Sequence, residues 1–172
     1  LAHRSEHGPF SPLINYPSNR GFEEHWGVIW GVINYFDPFS LVHNEEPIKE
    51  VTKDFYMTDF ITEKSIDLIE QFSKDDKPFF MYVAQTAPHW PLQARPADIA
   101  KYKGKYTEGW DVLRNKRYQR MIDLKLIDPA TCSLPPNSSG KTWEACIEKE
   151  MEAENMAVHA AMVDHVDQSV GK

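Results

Sequence analysis

The sequence predicts an α/β protein in which a parallel or mixed sheet lies between layers of helices. Residues 58–73 have the apolar periodicity of an amphipathic helix, and after a turn at 74–78 comes a run, 79–84, that is apolar at every position. Such a run is too short for a buried helix and lacks the alternation of a half-exposed strand, so it predicts a strand covered on both faces. A helix leading by a tight turn into a doubly covered strand is half of a β-α-β unit.

The helix is predicted from the positions of its apolar side chains. Thr58 is a good N-cap residue, and the charged residues that follow lie mostly away from one apolar face. That face is formed by Ile61, Leu68, Ile69 and Phe72. The pattern therefore predicts a helix from Thr58 to about residue 73.

The other segments differ in composition. Residues 1–56 are dense in Gly, Pro, Asn and aromatics, which predicts an irregular region with short strands at most. Residues 98–102 predict a short helix, 108–126 a longer one, and 131–140 a loop. A last helix is predicted from about Trp143 onward, with one face formed by Met151, Asn155, Val158, Met162 and Val166.

Composition limits the classes of function. The 172 residues are 41% hydrophobic and 12% aromatic, as expected for one packed domain or part of one. Lys and Arg total 19 against 26 acidic residues, a net charge of -7, so nucleic acid is not an expected partner. No apolar run approaches the roughly 20 residues of a membrane-spanning helix, and we expect no membrane-spanning segment.

Familiar catalytic motifs are absent from the sequence. It contains no Gly-rich phosphate loop, no G-x-S-x-G elbow and no C-x-x-C pair. The two cysteines, Cys132 and Cys146, are far from the density of a disulfide scaffold, and neither has the basic surroundings of a reactive thiol.

The segment 85–91 follows the predicted strand, and in open α/β sheets ligands bind outside the carboxyl ends of the strands. Pro88 and Pro91 fix their own φ angles and restrict the residues before them, so His89 would be mounted on a stiff loop. His89 is therefore the candidate catalytic residue. The alternative is that His89 only hydrogen-bonds a loop carbonyl while Trp90 packs into the core.

The last predicted helix carries residue types that bind metal ions, but at unsuitable spacing. His159 and Asp164 are five residues apart, about 500° of helical turn, while Asp164 and His165 point some 100° from one another. We interpret these side chains, with Asp167, as a solvated helix face and predict no metal ligands in the sequence. His25 and the other early histidines are interpreted as surface or packing residues.

Several separated blocks of the sequence resemble the sulfatase family, in particular its bacterial arylsulfatase type. The strongest block is KPFFMYVAQTAPHWPLQA at 77–94, and it is followed by KYKGKYTEGWD at 101–111 with Arg114 and Arg117. Further blocks are RGFEEHWG at 20–27, NYFDP at 34–38, and AAMVD at 160–164 with Asp167 and Gly171. The resemblance covers nearly the whole chain.

This resemblance implies the alkaline-phosphatase-like fold, a large mixed sheet flanked by helices. Residues 1–172 would form the middle segment of its catalytic domain, with the N- and C-terminal parts missing. Sulfatases hydrolyse sulfate esters, the implied substrate, with a formylglycine nucleophile and calcium. His89 matches the family histidine on the sulfate and leaving-group side, where an imidazole could stabilise charge or protonate the leaving oxygen. Trp90 would be substrate-binding beside it.

The sequence also departs from the family pattern. It lacks the C-x-[PA]-x-R motif from which formylglycine is made, and it lacks the paired aspartates and the Asp-Asn pair of the calcium site. The resemblance thus implies that calcium ligands and formylglycine lie outside these residues, and we expect the chain to be inactive by itself. Family members are commonly periplasmic, secreted or lysosomal.

Two other hypotheses stay open at this stage. The first is a phosphodiesterase or phosphonate hydrolase of the same superfamily, although the block at 87–91 favours a sulfatase. The second is a truncated, non-catalytic binding protein in which His89 is only structural.

Overall fold

Helices and a sheet occur together in the computed structural model, which describes residues 12–137 and 140–172. The helices are α1 (Met57–Phe72), α2 (Pro96–Tyr102), α3 (Gly109–Asp123) and α4 (Lys149–Val170), and the strands are β1 (Trp26–Val28), β2 (Leu41–His43) and β3 (Glu46–Pro47). The α/β class is therefore confirmed. The chain divides into two units, Leu1–Ala94 with Met162–Lys172, and Arg95–Ala161.

The helices lie close to their predicted positions, with differences at the ends. α1 begins one residue before Thr58, and α2 begins at Pro96, where proline suits the first helical position because that N–H needs no intrahelical partner. α4 begins six residues later than predicted. Trp143 does not enter this helix, because its backbone N–H donates to the Asp111 carboxylate at 2.6 Å.

The three strands form a small antiparallel sheet in the order β1-β2-β3. β2 and β3 form a hairpin in which His43 pairs with Glu46, leaving Asn44 and Glu45 as the loop. Asn44 has a φ of +53°, a left-handed conformation that asparagine tolerates. Its backbone N–H donates to the His25 carbonyl, and its side-chain oxygen accepts from the His25 N–H. Within residues 12–56, the prediction of an irregular region with short strands is confirmed.

The strand predicted at residues 79–84 is wrong for this structure. The segment belongs to no strand, and Phe80 and Tyr82 are 80% and 72% exposed. A strand needs hydrogen-bonded neighbours, and the described residues place none beside this segment. Its apolar composition is thus not matched by burial within the described chain.

The core of the first unit is rich in tyrosine. Tyr16, Tyr35 and Tyr56 are all buried, together with Leu41 and Met57. The Met57 N–H donates to the Tyr35 carbonyl at 2.8 Å, so the first turn of α1 is attached directly to the irregular segment. This bond satisfies one of the backbone donors that a helix N-terminus leaves unpaired.

In the second unit, α3 holds the loop that follows it. The Tyr118 hydroxyl donates to the Cys132 carbonyl at 2.7 Å, and the Trp110 indole N–H donates to the Lys141 carbonyl at 3.2 Å. The rings of Trp110 and Trp143 meet edge to face, with centroids 4.8 Å apart. A Cβ built on Gly109 would lie 2.1 Å from the Trp143 ring. Both cysteines are free thiols.

None of the helices in the described ranges has the combination of length and apolar composition needed to cross a membrane.

Gly109→Ala should destabilise the second unit more than Gly104→Ala. Both glycines have positive φ, +82° and +77°, but only Gly109 lies against the Trp143 ring, and nothing lies within 4 Å of a Cβ at Gly104. Backbone strain alone predicts a loss of about 1–2 kcal/mol at Gly104, and the clash predicts a further loss of about 1–3 kcal/mol at Gly109. Denaturant unfolding of the full-length protein followed by tryptophan fluorescence measures both. Equal losses would show that the ring does not pack on Gly109.

The exposed apolar segment 79–84 predicts that the 172-residue chain expressed alone will aggregate or bind a hydrophobic dye. Phe80→Ser should lower dye binding clearly, because it interrupts a contiguous apolar run. Ile147→Ser, which replaces an isolated side chain that is 96% exposed, should change it much less. A soluble monomer that binds no dye and melts in one sharp transition would contradict this prediction.

Candidate active site

The loop at 85–93 contains a tight turn that ends at His89. The His89 N–H donates to the Thr86 carbonyl at 3.1 Å, closing the turn over residues 86–89. The peptide bonds Ala87-Pro88 and Trp90-Pro91 are both cis.

Two buried tyrosines from outside the loop hold it. The Tyr35 hydroxyl lies 2.9 Å from the carbonyl oxygens of both Thr86 and His89 and donates to them. The Tyr56 hydroxyl donates to the Gln93 carbonyl at 3.0 Å, and the Gln93 side-chain oxygen accepts from the Tyr35 N–H at 2.8 Å. The backbone of the loop is therefore tied to the core at both ends.

The His89 imidazole is exposed, and one of its two nitrogens is engaged. Nδ1 lies 2.7 Å from the Trp90 carbonyl oxygen, and because a carbonyl only accepts, Nδ1 carries a proton. Nε2 has no hydrogen-bond partner in the described chain, and it is the nitrogen that can meet a ligand. In the neutral ring Nε2 accepts a proton, and in the charged ring it donates one.

Trp90 lies beside this imidazole and does not fill the core. Its side chain is 63% exposed, and the two ring centroids are 5.4 Å apart. The alternative interpretation of the sequence is thus half right: His89 does contact a loop carbonyl, but Trp90 is at the surface. The two predicted site residues are neighbours on one exposed turn.

The residues that hold this loop were not predicted from the sequence. Nothing in the periodicity of the irregular segment singles out Tyr35 or Tyr56, although Tyr35 lies in the block NYFDP at 34–38. Two oxygens at the start of the loop, Gln85 Oε1 and Thr86 Oγ1, are buried without a hydrogen-bond partner among the described residues. Buried polar atoms are normally paired, so this end of the loop has capacity for further contacts.

The metal-type residues of α4 do not form a cluster. The prediction of a solvated helix face is wrong for His165. Its side chain is largely buried, and its Nε2 lies 2.8 Å from Asp59 Oδ1 of α1. His159 and Asp167 are exposed. Throughout residues 12–137 and 140–172, no three His, Cys, Asp or Glu side chains gather to hold a metal ion.

His25 is a titratable group away from the candidate site. Burial, together with nearby His43, lowers the pKa of His25, while its hydrogen bond with Asn44 opposes that shift. Its Nδ1 is buried without a partner in the described residues. The fold therefore favours the neutral imidazole at this position.

Comparison with known proteins shows the family to which the chain belongs. The model of the family named Sulfatase matches residues 5–172, and the chain belongs to this family. The described residues combine helices with a small antiparallel sheet, in agreement with the expected α/β class.

The relatives are longer than this chain. An uncharacterized sulfatase of Schizosaccharomyces pombe is 38% identical over 175 residues, covering 91% of this chain and 31% of the relative. The arylsulfatase of Klebsiella aerogenes is 28% identical over 167 residues, covering 90% of this chain and 36% of that enzyme. The chain thus spans about a third of the length of these relatives. Among solved structures, Ps i-CgsB in complex with k-i-k-neocarrahexaose is similar, with a TM-score of 0.48, 20% identity, and coverage of 93% of this chain and 32% of that one.

Acidification should destabilise the protein partly through His25. Its folded-state pKa is lowered from 6.5, so its contribution to stability is present above that pH and is lost as the pH falls below it. In the full-length protein, His25→Gln should therefore reduce the drop in melting temperature between pH 7.5 and pH 5. His159→Gln, which makes the same substitution at an exposed position, is the matched control. Identical pH dependence in wild type and His25→Gln would contradict this assignment.

Proposed function

We propose that this chain is the middle part of the catalytic domain of an arylsulfatase-like sulfuric ester hydrolase, with a sulfate ester as substrate. The observation that carries the proposal is the state of His89, an exposed imidazole whose Nδ1 is fixed by the Trp90 carbonyl and whose Nε2 is open. A single oriented ring nitrogen suits proton transfer to a bound ester.

In this proposal, His89 is the catalytic residue that faces the leaving-group oxygen. Cleavage of the S–O bond places negative charge on that oxygen, and protonated Nε2 supplies either a hydrogen bond or the proton itself. Because Nδ1–H stays on the Trp90 carbonyl, the ring keeps its orientation as the charge develops. Trp90, exposed beside the imidazole, offers an apolar surface to the organic part of the ester.

Formylglycine would supply the nucleophile of such a reaction, and calcium would stabilise the sulfate oxygens. Among the described residues no three His, Cys, Asp or Glu side chains gather, and the sequence has no C-x-[PA]-x-R motif. We therefore propose that both come from parts of the protein outside these 172 residues. His89 and Trp90 are the contribution of this segment to the active site.

His89→Ala in the full-length protein should lower kcat for an aryl sulfate by roughly 10²-fold, the scale of losing one general acid or electrostatic group. His159→Ala removes an exposed imidazole elsewhere and should leave kcat unchanged. Steady-state rates with a chromogenic sulfate ester measure both variants. Wild-type turnover in His89→Ala would exclude the role of His89.

Two further assays separate this proposal from the alternatives. The same protein should hydrolyse an aryl phosphodiester much more slowly than the aryl sulfate, and the reverse order would indicate a phosphodiesterase. The 172-residue chain expressed by itself should be inactive even with calcium added, because it lacks the nucleophile. Activity of that chain would show that it contains a complete site.

A further inference from the structure

Tyr35 makes an unusual set of contacts with the turn that presents His89. One hydroxyl lies 2.9 Å from two carbonyl oxygens, those of Thr86 and His89, which are the first and last residues of the turn. A phenol has one proton, so the two acceptors share it in a three-centre hydrogen bond. The hydroxyl therefore bridges the two ends of the turn.

Tyr35 is itself firmly fixed. Its side chain is 1% exposed, and its ring packs against Tyr56 with centroids 6.0 Å apart. Its carbonyl accepts from the first N–H of α1, at Met57, and its own N–H donates to the Gln93 side chain. These bonds connect Tyr35 to the N-terminus of α1 and to the far end of the loop, and so fix the position of its hydroxyl.

We propose that Tyr35 is a positioning residue for His89, and that its hydroxyl sets where the imidazole Nε2 lies relative to a bound sulfate ester. This inference rests on the proposed function. Tyr35 does not touch the substrate, and it acts through the backbone of the turn at 86–89.

The position of His89 depends on the loop that carries it. His89 is exposed, so no surrounding core side chains fix its position, and its placement depends on the backbone that carries it. Burial raises the pKa of Tyr35, so its hydroxyl stays protonated and remains a donor. Loss of this donor removes the Tyr35 bond from the His89 carbonyl and leaves the Thr86 carbonyl with only the His89 N–H, so the turn can relax. Displacements of about 1 Å in a catalytic group can cost up to about 10²-fold in rate.

Tyr35→Phe is the direct test, made in the full-length protein because it keeps the ring and removes only the hydroxyl. We expect kcat for an aryl sulfate to fall by about tenfold or more while KM changes by less than about twofold, since transition-state alignment is lost but binding is kept. Tyr118→Phe is the matched control. It also removes a tyrosine hydroxyl that donates to a carbonyl, that of Cys132, and it should leave kcat unchanged.

The double variant Tyr35→Phe with His89→Ala distinguishes a role of Tyr35 in positioning His89 from a general disturbance of the structure. If Tyr35 acts through His89, adding Tyr35→Phe to the His89→Ala variant should lower kcat by less than about twofold further. The inference would be overturned if Tyr35→Phe lowered kcat by the same factor in the wild type and in the His89→Ala variant, or if Tyr35→Phe alone kept the wild-type rate. Either result would leave the proposed function intact. A wild-type rate in His89→Ala would instead remove the proposed function.

Thermal melting and circular dichroism show whether Tyr35→Phe is folded. If it is not, Gln93→Ala provides the same comparison, because it removes the acceptor that ties the Tyr35 N–H to the loop. A loss of kcat in Gln93→Ala that disappears in the His89→Ala background supports the inference. A loss that persists in that background, or no loss, overturns it.

Discussion

The attachment of the loop at 85–93 to the tyrosine core is the interaction on which the candidate site depends. Prolines restrict the loop locally, but its position in the first unit is set by the hydroxyls of Tyr35 and Tyr56. Because Tyr35 also accepts the first N–H of α1, one residue connects the helix, the irregular segment and the turn that carries His89. Removal of that connection would leave the turn without its anchor to the core.

The irregular residues of the first unit are held by buried aromatic rings and by side-chain hydrogen bonds. Tyr35, between β1 and β2, and Tyr56, just before α1, are buried, and single hydrogen bonds such as the one from the Tyr35 N–H to Gln93 join distant residues. The contact between His165 and Asp59 adds a further attachment, joining the last turns of α4 to α1. Aromatic and polar contacts here take the place of a regular framework.

Local patterns predicted the helices well because apolar periodicity, caps and prolines act over a few residues. The same patterns failed at 79–84, where a continuous apolar run predicted a covered strand but Phe80 and Tyr82 are exposed. Strand formation depends on neighbours that are distant in sequence, and composition cannot supply them. The family, by contrast, was evident from the blocks at 77–94 and 101–111, and the match over residues 5–172 confirms it.

The sequence by itself determined the α/β class, the approximate limits of the helices, the family, and the choice of His89 and Trp90 as candidate residues. These follow from local periodicity and from short blocks of adjacent residues. Only the tertiary structure decided that Trp90 lies at the surface, that Nε2 is the open nitrogen of His89, and that Tyr35 holds the turn from about 50 positions earlier in the chain. Hydrogen bonds over such separations depend on the folded path of the chain, and no local pattern in the sequence records them.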